Sequence, residues 1–382
     1  MDRQGDLVAV VATSVPADST VALIGVGLMG GSLGLAAREL AGVRRVIGYS
    51  RSSETLAAAL ARGAITKAAA SLEEAASAAD LIFVCTPVRL VVEHVRRAHA
   101  VARSDAVVSD VGSTKAMLME ALTPDEQARC VGGHPLCGSE TAGVANARAS
   151  LYEGATYFLT PGAHVRPAAF QRLYDFLLRI GARPVAVEPH EHDRVLATVS
   201  HLPHVLANVL MIQAGEHSGT RDPLICAGPS FRDMTRVAGS NARVWADIFL
   251  ENREALLVSL AGYRTGLDEM MLALEAADEG RLAALIGRAA RQRERLLAAE
   301  SLSADKLFRI MVKIPDRPGV LQQITVALGD AAINIEDLAM HHMSAELGGE
   351  LTVYVLGAEV CERAAALLSG FGYQVTTGRG VA

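Results

Sequence analysis

Gly25-Val26-Gly27-Leu28-Met29-Gly30 is the stretch on which the fold turns. It follows a short apolar run, Thr20–Ile24, and opens an Ala-rich segment, Met29–Ala41. A Gly-x-Gly-x-x-Gly pattern says little alone, but between a strand and a helix it has a mechanical reading. The first glycine allows the tight turn and the second lets backbone N–H groups approach a pyrophosphate. The third permits close strand–helix packing, and the helix N-terminus favours an anion. Gly25, Gly27, Leu28, Met29 and Gly30 are therefore expected at a dinucleotide, with Thr86 and Pro87, just past the run Leu81–Cys85, assigned to the same site.

Outward from this loop, β-branched runs alternate with helical stretches. Strands are expected at Arg45–Tyr49, Leu81–Cys85, Ala106–Ser109 and Cys130–Gly133, and helices at Glu54–Arg62 and Val88–Ala102. That alternation predicts an α/β, Rossmann-like, doubly wound parallel sheet over residues 19–189, after a loose leader at 1–18. An acid after the second strand would hold an adenosine ribose 2′-hydroxyl and mark NAD. Here Ser50-Arg51 stands instead, a pair that suits a 2′-phosphate, so NADP is favoured while NAD stays open.

The rhythm changes near Pro189. Residues 190–300 show only helical patterns, Asp193–Ser218, Val244–Asp278 and Glu279–Glu300, without the polar outer face of a solitary bundle. This substrate domain is expected to bury apolar surface on a second subunit, as a homodimer. From 306 to 382 the order is strand, helix, strand, strand, helix, strand, which predicts a small ferredoxin-like βαββαβ domain.

The 382 residues suggest two to three domains at about 150 each. Apolar types make up 51% and charged types 20%, so the chain should fold. A net charge of −6 with 4% aromatics excludes a nucleic-acid binder. Five scattered cysteines without a CxxC pair argue for a reducing, cytoplasmic setting and against a zinc ribbon. The uncharged stretch Ser19–Ala37 approaches membrane-span length, but its glycines belong to the phosphate loop, and no membrane segment is expected.

Three polar clusters fall beyond strand ends, where a doubly wound sheet places its chemistry. They are Asp110-Val111-Gly112-Ser113-Thr114-Lys115, Gly133-His134-Pro135-Leu136-Cys137-Gly138, and His190-Glu191-His192-Asp193 with Ser200-His201-Leu202-Pro203-His204. A fourth, Phe231-Arg232-Asp233-Met234-Thr235-Arg236, precedes Trp245, the only tryptophan. The four histidines of the third cluster offer a metal-site alternative. The nicotinamide signal already accounts for redox chemistry, so no metal is assigned.

Taken together and in order, GVGLMGGS, DVGSTK, HPLCGSETAG, SHLPH and FRDMTR resemble the prephenate and arogenate dehydrogenases of tyrosine biosynthesis, from about Thr20 to Glu300. The resemblance implies oxidative decarboxylation of prephenate to 4-hydroxyphenylpyruvate with hydride transfer to NAD(P)+. By motif match it makes His134 the group that takes or polarises the hydroxyl proton, a task suited to imidazole. It makes Ser113 the hydrogen-bond partner of that hydroxyl, and Arg236 the clamp of a substrate carboxylate. His204 stands near the same substrate, with His201 beside it and Lys115 and Trp245 close by. The missing acid at Ser50 and the cysteine at Cys137 depart from the family pattern.

The third block, with Pro315-Asp316-Arg317-Pro318-Gly319-Val320-Leu321 and Asn334-Ile335, is similar to ACT regulatory domains. That likeness implies an amino-acid effector, L-tyrosine, near Asp316, Gly319, Val320, Asn334 and Ile335. Three rivals stand beside this reading. Arogenate dehydrogenase would run the same chemistry on the aminated substrate. A 3-hydroxyacid dehydrogenase needs a lysine in the helical region, and none occurs between Glu188 and Glu300. A non-catalytic amino-acid sensor would bind ligand without reducing nucleotide.

Overall fold

The computed structural model describes residues 19–137, 141–216, 222–301, 307–315, 320–335, 337–344 and 348–379. The leader, Gly138, Asp316 and Gly319 lie outside the described residues. The chain divides into two compact units, the first ending at Asp268 and the second running Glu269–Ala382. The helices after Pro189 pack with the large sheet in the first unit as far as Asp268.

The first unit is built on strands β1 (Ser19–Ile24), β2 (Val43–Tyr49), β3 (Lys67–Ala68), β4 (Leu81–Val84), β5 (Val107–Asp110), β6 (Cys130–Pro135), β7 (Thr156–Pro161) and β8 (Arg183–Ala186). Their order is β3-β2-β1-β4-β5-β6-β7-β8. Strands β1 to β6 pair in parallel. Alternate residues of β1 enter opposite cores, Val21 and Leu23 on one face, Ala22 and Ile24 on the other. Burial on both faces is why these strands read as unbroken apolar runs.

One expectation needs correcting. The sheet is not parallel throughout, because β7 runs antiparallel to β6. Between them the described residues form only two short 3-10 turns, Val144–Asn146 and Ala149–Tyr152. No helix is available there to carry the chain back for a parallel return. Order reverses between β1 and β4, so the crevice at the carboxyl ends of these two strands is the place for a ligand.

The expected helix Val244–Asp278 is two helices, Ala242–Glu251 and Arg253–Glu275, interrupted at Asn252. The expected Asp193–Ser218 begins at Pro189 and contains a widened π turn, Ala197–His201, before continuing as Leu202–Gly215. Leu202 N–H bonds to the carbonyl of Ala197, five residues back. Pro203 follows, and a proline has no N–H to give and crowds the carbonyl four residues earlier.

The second unit holds helix Glu279–Ser301 and an antiparallel sheet of β9 (Leu307–Ile314), β10 (Asp337–Ser344), β11 (Gly348–Leu356) and β12 (Gln374–Arg379), ordered β10-β11-β9-β12. Helices Val320–Asp330 and Ala358–Gly370 cover one face through Ile324, Leu328, Ala364 and Leu368, packed on Ile310, Val312 and Val353. The β-α-β-β-α-β order matches the sequence reading. The second strand starts at Asp337, and Ile333, just after the helix, is buried in the core.

Candidate active site

The crevice between β1 and β4 opens into a cleft of about 510 Å³, lined by Gly25, Gly27, Ser50, Arg51, Cys85, Thr86, Pro87 and the face of helix Val91–Val101 that carries Glu93, His94 and Arg97. Gly25 has φ +100°, and a Cβ there would stand 2.6 Å from the Cys85 carbonyl oxygen. At Gly30 a Cβ would meet the Gly25 carbonyl oxygen at 2.1 Å, so the helix lies directly on the turn. A Cβ at Gly27 would meet nothing within 4 Å. The helix N-terminus therefore faces open space in the cleft, and the residues fit a dinucleotide pyrophosphate.

Leu28 and Met29 do not line this cleft: Leu28 is buried in the core, and the Met29 carbonyl accepts from the Tyr152 hydroxyl at 2.9 Å. Ser50 and Arg51 stand at the ribose end. Sequence reading missed Ser52, Thr55 and Arg97 there, which no motif marks. It also missed His94, whose Nδ1 lies 3.0 Å from Thr86 Oγ1.

Beyond the cleft, the ends of β5 and β6 gather buried polar groups. Asp110 Oδ1 accepts from Gly133 N–H at 2.9 Å, and Oδ2 accepts from Gly112 N–H at 2.7 Å. Lys115 was expected beside the substrate. It is instead fully buried, its ammonium paired with Asp110, and it braces the two strand ends. Ser113 is half-buried on the loop between these partners.

His134 ends β6, and its Nδ1 lies 2.9 Å from His192 Nε2. His192 Nδ1 in turn lies 2.7 Å from Asp193 Oδ1. The same carboxylate accepts backbone N–H bonds from Lys115 at 2.8 Å and Ala116 at 2.9 Å. Asn252, at the interruption between two helices, donates to the Asp193 carbonyl at 2.7 Å and to His201 Nδ1 at 3.0 Å. Burial, with His192, Lys115 and His201 nearby, holds His134 well below the usual imidazole pKa, so it is a neutral acceptor. Burial likewise lowers His201 to about 4.

His204 stacks flat on Trp245, ring centroids 3.6 Å apart, and Phe249 closes the group edge-on. The buried Nδ1 of His204 has no hydrogen-bond partner among the described residues. His201 meets the same Trp245 edge-on at 6.2 Å. Arg236 is exposed at the start of a 3-10 turn, Arg236–Gly239, that packs on the helix bearing His204. His190 stands apart at the surface, 3.0 Å from Glu120, so the four histidines do not converge. Cys137 is held up at about 12 by burial and stays a thiol. Val320 is buried, Asn334 exposed and Ile335 half-buried in the second unit.

A phosphate-binding turn at the switch point of a doubly wound sheet, with a neutral buried imidazole at the carboxyl end of β6, defines an NAD(P)-dependent oxidoreductase. The prephenate dehydrogenase nucleotide-binding domain model matches residues 33–186, and the dimerization domain model of the same family matches 188–288. The chain is 32% identical to the prephenate dehydrogenase of Bacillus subtilis, across 87% of this chain and 91% of that one. It is 33% identical to the cyclohexadienyl dehydrogenase of Zymomonas mobilis, across 68% of this chain and 89% of that one. A crystal structure of prephenate dehydrogenase from A. aeolicus with hydroxyphenyl propionate and NAD+ superposes with a TM-score of 0.69 at 29% identity, covering 73% of this chain and 98% of that one. Synechocystis arogenate dehydrogenase gives 0.66 at 28%, covering 72% and 99%. The chain belongs to the prephenate dehydrogenase family.

Proposed function

We propose that this protein oxidises and decarboxylates prephenate to 4-hydroxyphenylpyruvate, with NADP favoured over NAD as acceptor. The observation that carries the reading is His134: a buried, uncharged imidazole at the carboxyl end of β6, on the same edge of the sheet as the dinucleotide crevice and two strands from β4. The oxidised nicotinamide, when bound, supplies the hydride acceptor. His134 takes the proton of the ring hydroxyl as that carbon becomes a carbonyl, with Ser113 as hydrogen-bond partner of the same oxygen. The bond to the ring carboxylate then breaks, carbon dioxide leaves, and its electron pair enters the ring. His134 returns its proton to the phenol oxygen so formed, and the protein's task is alignment and charge management.

Arg236, next to the helix of His204, is assigned to a substrate carboxylate, and the His204–Trp245 stack to the wall of the substrate site. Ser50, Arg51 and Arg97 at the ribose end suit a 2′-phosphate. The β-α-β-β-α-β unit from Leu307 is read as a ferredoxin-like ACT module that responds to L-tyrosine. The Bacillus subtilis alignment takes in 87% of the chain, more than residues 1–288 hold, and so reaches this block. Two subunits are expected to associate through the helices that match the dimerization domain, in the cytoplasm.

One spectrophotometric experiment tests the reading: prephenate and arogenate, each with NADP+ and NAD+, with and without millimolar tyrosine. Turnover should be highest with prephenate and NADP+, and tyrosine should lower it. Arogenate turnover above prephenate would reassign the substrate. Absence of nucleotide reduction in all four arms would end the enzymatic reading in favour of a sensor.

A further inference from the structure

We propose that Asp193 and His192 set the tautomer of His134, acting as positioning residues for its proton transfer; the proposal rests on reading His134 as the base. A carboxylate oxygen accepts hydrogen bonds and does not donate them. Asp193 Oδ1 lies 2.7 Å from His192 Nδ1, so that nitrogen carries the ring proton and His192 Nε2 keeps a lone pair. That lone pair faces His134 Nδ1 at 2.9 Å. His134 therefore donates from Nδ1 and holds its own lone pair on Nε2. One fixed carboxylate decides, two rings away, which nitrogen receives the substrate proton.

The anchor does not turn. Each carboxylate oxygen of Asp193 accepts a backbone N–H, from Lys115 and Ala116, and its carbonyl accepts from Asn252. His192 is 1% exposed, so water has no access to replace either bond. Phe158, the cross-strand neighbour of His134, stands edge-on to His192 with centroids 5.4 Å apart and leaves it one orientation. Proton balance is simple. The substrate O–H bond breaks, an N–H bond forms at His134 Nε2, and the cation keeps its Nδ1 proton on His192. The charge of Asp193 offsets that cation until the proton returns to the phenol oxygen. An orienting carboxylate does the same for the histidine of serine hydrolases, where an amide in its place costs about 10⁴ in turnover.

The test compares H192Q with H192M. The two side chains are nearly equal in length, and only glutamine ends in an acceptor for His134 Nδ1–H. Turnover of H192M should fall at least tenfold below that of H192Q, with KM for both substrates and the melting temperature shared by the two variants. Equal turnover, or a difference confined to KM, would overturn the proposal. D193N should lose more, because its amide nitrogen can donate to His192 Nδ1 and reverse both tautomers; wild-type turnover in D193N would also overturn it. H134N separates this idea from the one beneath it. Full activity in H134N would remove the base itself, whereas an inactive H134N beside equal H192Q and H192M would remove only the tautomer control.

Discussion

At the scale of single residues, charge form decides function here more than residue type. His134 and His201 are histidines that stay neutral because burial penalises the cation. The folded pKa of His201 is about 4 against an ordinary 6.5, so the unfolded chain binds its proton better. Stability is accordingly full above pH 6.5 and is lost as pH falls towards 4, with His134 acting in the same sense. Melting temperatures recorded from pH 7.5 to 4.5 should decline, and His201→Gln should flatten the decline; an unchanged slope would remove His201 from this account. Arg236 makes a different demand. A planar guanidinium meets a carboxylate through two parallel bonds, and an ammonium does not. Arg236→Lys should raise the prephenate KM by roughly ten- to 150-fold, for about 1.5–3 kcal/mol of charge-assisted bonding. Steady-state kinetics with a wild-type KM would move the carboxylate elsewhere. Most of these residues were legible because family motifs and strand ends mark them. Asn252 was not: a single asparagine inside an apparently continuous helical pattern carries no motif.

Among the elements, two irregularities in the helical region build the site. His192 and His201 are nine positions apart, which in a regular helix at about 100° per residue puts them on opposite faces. The widened turn Ala197–His201 rephases the helix, and both side chains are buried, within reach of Asp193 and Asn252. Wide turns of this kind recur at functional sites. The second irregularity is the break at Asn252, which frees that side chain to hold the Asp193 carbonyl and the His201 ring together. Asn252→Ala should leave the buried Nδ1 of His201 unpaired, at about 1–3 kcal/mol, while the Asp193 carbonyl keeps the N–H of Ala197. Urea unfolding will measure it; a change within about 0.5 kcal/mol would mean that the tie is not structural. A period-based reading sees neither feature, because it assumes one phase from end to end. Strands β1, β2, β4 and β5 were legible to within one or two residues, since buried parallel strands advertise themselves as apolar runs.

For the whole molecule, the open question is what covers the helices after Pro189. The run Pro189–Gly215 is long enough to cross a bilayer and holds an 18-residue stretch with a mean hydropathy of 1.6. Its polar residues His192, Asp193, His201 and His204 are buried inside the protein, while Val199, Val209 and Ile212 face outward at 64%, 54% and 56% exposure. Leu257 and Val258 are exposed as well, next to Ser259, whose hydroxyl meets that of Thr198, and neighbouring outward apolar side chains mark a surface suited to association. A second copy of the chain is the expected cover. Light scattering should give twice the chain mass, and Val209→Glu with Ile212→Glu should weaken association at least a hundredfold; dimers of wild-type strength in that double variant would place the interface on another face. The amino-acid sequence by itself determined the order of elements, the phosphate turn and the ends of strands where chemistry belongs, because each follows from local periodicity and from glycine geometry. Only the tertiary structure decided that Lys115 is a buried brace, that β7 turns back antiparallel, and that a carboxylate reaches His134 through a second ring. Those outcomes depend on which distant segments meet and on the exclusion of water where they do, and neither is written in the spacing of residues along the chain.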